Sequence, residues 1–224
     1  VPARIGCILA VLALAAASPA RAQAAAPDAG TLLFEEPQLK GVAPGTTLTY
    51  AYSRKATDPD RYGPSFDDTI RLAVDKGANA DSRTIAVTMF TGEHRRPAGP
   101  FEDMTGNPAL SLFLENHLQE LANRLHANPR YIKNAIRAAL RDKAVVEKTS
   151  VEVDGRRLDA WHVRIVPFTD DPNRARMNGL DTLVYDFTVA ADLPGEIVRL
   201  AATAPGPDGK LLIDESLSYD AKAP

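Results

Sequence analysis

A chain of 224 residues with 26 Lys and Arg against 29 Asp and Glu has a formal net charge of −3 and a single cysteine. That balance excludes a general nucleic-acid binder, which needs clustered positive charge to displace counterions from phosphates. The length suits one domain, large enough to bury a core without disulfide staples.

The N-terminus reads as an export signal. Arg4 supplies the positive start, Ile8 to Ala17 an apolar run, and Ser18-Pro19-Ala20-Arg21-Ala22 the small-x-small cleavage pattern. The apolar run of about ten residues is half of what a membrane-spanning helix needs. The expectation is therefore a signal peptide over 1–22 and no transmembrane anchor after its removal. Removal takes away Cys7, Arg4 and Arg21, leaving 24 basic against 29 acidic residues, a formal charge of −5 and no cysteine. A periplasmic location follows from this reading. Residues 23–31, alanine-rich with Pro27, Asp28 and Gly30, have little to bury and are expected to form a flexible leader. A single domain then spans 32–224.

From Thr46 to Arg54 the order places Leu48, Tyr50 and Tyr52 on one face, the period-2 mark of a half-buried strand. Residues 69–74 alternate in the same way, and 84–90 is more continuous, with Ile85, Val87 and Met89 on one face and Ala86, Thr88 and Phe90 on the other. Thr57 to Pro64 is an exposed loop, and Thr91 to Pro100 another, with neither regular structure. The period then changes to that of a helix. Asn107-Pro108 is a start signal, an N-cap with Pro at the first helical position. Leu110, Leu114, Leu118, Leu121 and Leu125 follow at helical spacing, widened by Phe113. Asn128-Pro129 repeats the signal, and Ile132, Ala135, Ile136, Ala139 and Leu140 form a second apolar face over 128–142. Five strands come next, at 145–153, 158–168, 182–189, 197–202 and 211–219, separated by turn formers such as Asp154-Gly155. Connections this short favour antiparallel neighbours. The predicted architecture is α+β, a curved and mainly antiparallel sheet of about eight strands with a two-helix insertion packed on its concave face.

The chemistry-bearing residues form no recognisable catalytic or metal-binding spacing. Four histidines stand apart, and no His-Glu-x-x-His, nucleophile elbow or phosphate loop is present. Asp170-Asp171-Pro172-Asn173 lacks the staggered ligands and central Gly of a calcium loop and is better read as a turn. No metal site, cofactor or catalytic residue is assigned. His117 lies one position off the leucine stripe, where a histidine is ordinarily hydrogen-bonded at a helix–sheet boundary. Arg130, Lys133, Arg137 and Arg141 recur along one side of the second helix, and Arg95 and Arg96 extend that side from the preceding loop. Such a run is either a solvated face or a docking strip for an acidic protein or anionic headgroups.

The export signal, the strands at 46–54, 69–74 and 84–90, the helices at 107–142 and the five later strands together resemble the periplasmic lipoprotein-carrier superfamily. The resemblance covers most of the chain through the order and length of its elements, without a shared motif. It implies a half-barrel sheet with a helical lid and a non-enzymatic protein that holds a lipid or other apolar ligand. The lining of such a cavity would be Tyr50, Tyr52, Met89, Phe113, Leu114, His117, Tyr131 and Trp161, residues that serve equally well as filled core. Three functions stay open: an exported binding protein, an interaction or assembly factor using the basic helix, and an enzyme of unfamiliar type resting on His94 and His117.

Overall fold

The computed structural model describes residues 26–223; the expected signal peptide at 1–22 lies outside the described residues. Alternation builds the sheet. In β1 (Thr47–Ala56) the side chains of Leu48, Tyr50, Tyr52 and Arg54 are buried at every second position. β2 (Phe66–Lys76) buries Ile70, Leu72 and Val74, and β3 (Arg83–Met89) buries Ile85 and Met89 on the same side. A short helical turn, α1 (Pro59–Tyr62), starts where Asp58 caps the backbone N–H groups of Asp60 and Arg61.

The sheet has nine strands where about eight were expected. A ninth, β4 (Phe101–Met104), pairs with β3 just beyond the segment expected to be irregular loop. Its residues carry little sign of this, because the strand is four residues long, follows Gly99-Pro100 and places Asp103 at φ 54°.

The helices start where the Asn-Pro pairs stand. In α2 (Ala109–Leu125) the side-chain oxygen of Asn107 accepts the Ala109 N–H at 3.0 Å, so the helix begins one residue beyond Pro108. In α3 (Pro129–Asp142) Asn128 is the N-cap, accepting the Arg130 N–H at 2.9 Å, and Pro129 is the first helical residue. His126 ends α2 in the left-handed conformation, φ 48°, and turns the chain into α3. The buried stripe of α2 contains Leu110, Phe113, Leu118 and Leu121, whereas Leu114 and Leu125 are only partly buried. Ile132, Ile136, Ala139 and Leu140 of α3 are buried as their spacing predicts.

After the helices come β5 (Val145–Val153), β6 (Arg156–Ile165), β7 (Val184–Val189), β8 (Ile197–Pro205) and β9 (Leu211–Tyr219). The sheet order is β4-β3-β2-β1-β9-β8-β7-β6-β5, with every neighbour antiparallel. The chain meanders outward from β1 to the β4 edge, crosses to the opposite edge through the helices, and meanders back until β9 closes against β1. Eight interstrand gaps at about 4.8 Å make that crossing about 38 Å. Helices of 17 and 14 residues are about 26 and 21 Å long. Neither helix alone is as long as that path. One continuous core joins the helices to a single face of the sheet. A smaller cluster of Leu158, Ala160, Ala190 and Leu193 lies on the other face.

Within the leader segment, Asp28 accepts the N–H groups of Gly30 and Thr31, and Ala29 is buried in the main core. Leu32 and Leu33 follow it there, on a helical turn at Thr31–Glu35.

Candidate functional site

The centre of the helix-bearing face is polar. Arg54 and Glu215 are cross-strand partners between β1 and β9, in the register that buries Tyr52 and Leu217 next to them. Glu215 accepts three hydrogen bonds there: from the Tyr52 hydroxyl at 2.8 Å, from Arg54 Nη1 at 2.7 Å and from His117 Nδ1 at 2.9 Å. An acceptor carboxylate calls for a proton on His117 Nδ1. Arg54 also donates to the Tyr62 carbonyl. The next residue across the sheet from Glu215 is Ala202, whose methyl leaves room for the imidazole descending from α2. Tyr185, beyond it, meets the His117 ring edge-to-face at 5.4 Å.

Burial alone would raise the Glu215 carboxyl, but the charge and hydrogen bond of His117, reinforced by Arg54 and Tyr52, hold it below the usual carboxylate range. Burial and the neighbouring carboxylate push the Tyr52 hydroxyl well above the usual phenol range, and burial does the same to Tyr185. His117 Nε2 and the Tyr185 hydroxyl have no hydrogen-bond partner among the described residues. A histidine oriented by a carboxylate is the pairing of a general base. Here His117 is 1% exposed and Glu215 0%, and the void beside His117 and Arg54, about 10 Å³, has no room for a substrate. The arrangement ties α2 to the sheet.

Open space lies on either side of α2. A groove of about 590 Å³ runs between α2 and the segment 89–101, with Met89, Phe101 and Leu112 among its apolar residues and Asn116, Gln119 and Asn123 among its polar ones. The Arg96–Glu120 pair, 3.4 Å, belongs to the same groove. A second groove of about 250 Å³ lies between α2 and α3, lined by Leu114, Leu118, Ile136 and Leu140 with the half-exposed Phe34.

The eight cavity candidates fall in different places. Tyr50, Tyr52, Phe113 and His117 are buried in the core, Tyr50 accepting from Asn107 Nδ2 at 2.7 Å. Met89 lines the larger groove and Leu114 the smaller. Tyr131 is on the surface, bonded to Asp171 and Asn173. Trp161 is half-buried on β6 beneath Lys148, whose Nζ stands 5.3 Å from the ring.

The six basic candidates are differently engaged. Lys133 is tied across to Glu115 of α2 at 3.0 Å, and this hydrogen bond holds the Glu115 carboxyl below its usual range. Arg141 forms a two-pronged pair with Asp142, and Arg96 reaches Glu120. Arg95, Arg130 and Arg137 are exposed, with no ion-pair partner among the described residues.

Arg54 and Glu215 were missed by reasoning from the sequence, although both carry a readable sign. Each occupies the apolar phase of its strand, Arg54 after Leu48, Tyr50 and Tyr52, and Glu215 between Ile213 and Leu217. A charge in a buried phase needs a partner, and opposite charges in two such strands are each other's candidates.

Among the described residues no cluster of three or more His, Cys, Asp or Glu side chains could hold a metal ion. None of the described helices is long and apolar enough to cross a membrane. Compared with known proteins, no family model matches this chain and no curated protein sequence matches it.

Proposed function

We propose that this is an exported, periplasmic binding protein that takes an apolar ligand in the groove between α2 and the segment 89–101. The observation that carries the reading is the groove itself: about 590 Å³, within the size range of small-molecule sites, with apolar side chains beside a row of neutral amides. Met89, Phe101 and Leu112 bury the ligand, and Asn116, Gln119 and Asn123, spaced along one side of α2, orient its polar end. The order of elements supports a curved sheet carrying the helical hairpin on its concave face, as in the lipoprotein carriers that the chain resembles. The buried polar centre serves this function by holding α2, one wall of the groove, in place.

The test is a plug. Gln119 is exposed on the groove wall, so Gln119→Trp fills the groove at little cost to the core. The neutral dye N-phenylnaphthylamine should bind the wild type with enhanced fluorescence and bind the variant at least about tenfold more weakly, with unfolding midpoints alike. Equal titrations would exclude the groove.

A second reading, docking of an acidic partner or anionic membrane on α3, is favoured by Arg130 and Arg137, which are exposed and in no ion pair among the described residues. Replacing Arg137 and Arg141 together by Glu should weaken sedimentation with phosphatidylglycerol vesicles, most at low salt, while the thermal midpoint moves by a few degrees at most. Unchanged sedimentation would leave the strip a solvated face.

A further inference from the structure

The two edges of the sheet are built differently. β4 is four residues long, shifts register against β3 and carries Asp103 at φ 54°, all of which blunt an edge. β5 is nine residues long and pairs with β6 without a break from Val145↔Arg164 to Val153↔Arg156, with no strand on its other side among the described residues. It contains no Pro, Gly or bulge. An edge of this kind offers a row of free N–H and C=O groups to another strand.

We propose that β5 is a homodimer interface, in which two copies pair antiparallel about a twofold axis at Ser150 and join their nine-stranded sheets edge to edge. The charges on the strand select both the partner and the register. Glu147, Lys148 and Glu152 are exposed and have no ion-pair partner among the described residues. Opposite residues in an antiparallel pair share a face, so a twofold pairing sets even-numbered residues against even and odd against odd. Centring on Glu147, Lys148 or Glu152 opposes like charges. Centring on Thr149 sets Lys148 against Ser150 and pairs no charges. With Ser150 at the axis, Lys148 of each copy faces Glu152 of the other, which makes two symmetric ion pairs, and Glu147 faces Val153. Centring on Val151 would pair Lys148 only with Asp154, which lies beyond the strand at φ 49° in the turn. One register therefore satisfies the charges, and they disfavour the slips that a bare edge would allow. The Lys148 ammonium is already held over Trp161, on the face it shares with Ser150 and Glu152.

Sedimentation velocity across a dilution series tests this. The wild-type chain should associate to a dimer. Lys148→Glu alone and Glu152→Lys alone, each of which creates two like-charge oppositions, should weaken the dimer at least about tenfold. The double variant Lys148→Glu/Glu152→Lys should restore it, with all urea midpoints alike at protein concentrations too low for the dimer to form, because the positions are exposed. In a Cys7→Ser background, Ser150→Cys should crosslink the dimer on oxidation and Thr149→Cys much less, since only residue 150 faces its own copy. A wild type that stays monomeric at every concentration reached overturns the proposal. So does a dimer that both single reversals leave intact, or equal crosslinking at 149 and 150.

Discussion

Glu215→Ala is expected to remove about 3–5 kcal/mol of folding stability, the cost of leaving a buried charge without its counter-charge. Arg54 and Glu215 are 4% and 0% exposed, so no solvent replaces the lost partner, and Tyr52 and His117 lose their acceptor in the same step. Against a typical total of about 5–15 kcal/mol this is a large fraction. Exposed Arg130→Ala should change stability by less than about 0.5 kcal/mol. The pH dependence follows from the depressed Glu215 carboxyl. Its contribution is fully present above the unfolded carboxylate value of about 4.3 and is lost as pH falls through the lower folded value. Urea midpoints of the wild type and Glu215→Gln should therefore differ at about pH 5 and converge in stronger acid. Parallel profiles down to acid unfolding, or a Glu215→Ala midpoint equal to that of the wild type, would show that the ionic centre contributes nothing.

Leu118→Asp and Ile136→Asp should each abolish the cooperative thermal transition or release the helical hairpin from the sheet. Leu118 is 3% and Ile136 4% exposed, and an ionised or unpaired carboxylate at such a position costs several kcal/mol. Leu118 neighbours His117, so a charge there also disturbs the polar tie between α2 and β9. Circular dichroism melts check this. Wild-type midpoints in both variants would mean that the other faces of the helices are the buried ones.

Local pattern was enough for much of the fold. The alternation of Leu48, Tyr50 and Tyr52, the helical spacing of Ile132, Ile136 and Leu140, and the two Asn-Pro starts each depend on residues a few positions apart, so they were legible in the amino-acid order alone. The sequence also determined an antiparallel sheet with a helical hairpin in mid-chain, because short turns leave little choice of neighbour. β4 escaped since four residues after Gly99-Pro100 have no period to display, and they become a strand only because β3 offers an edge. The candidate cavity residues were legible as apolar but not as to place: the same character puts Tyr52 in the core, Met89 at a groove and Tyr131 on the surface. Arg54 and Glu215 lie 161 positions apart in the chain, and what makes them a pair is the closure of β9 against β1. That contact is non-local, so the buried ionic centre, the groove beside α2 and the bare edge of β5 were decided by the tertiary structure alone.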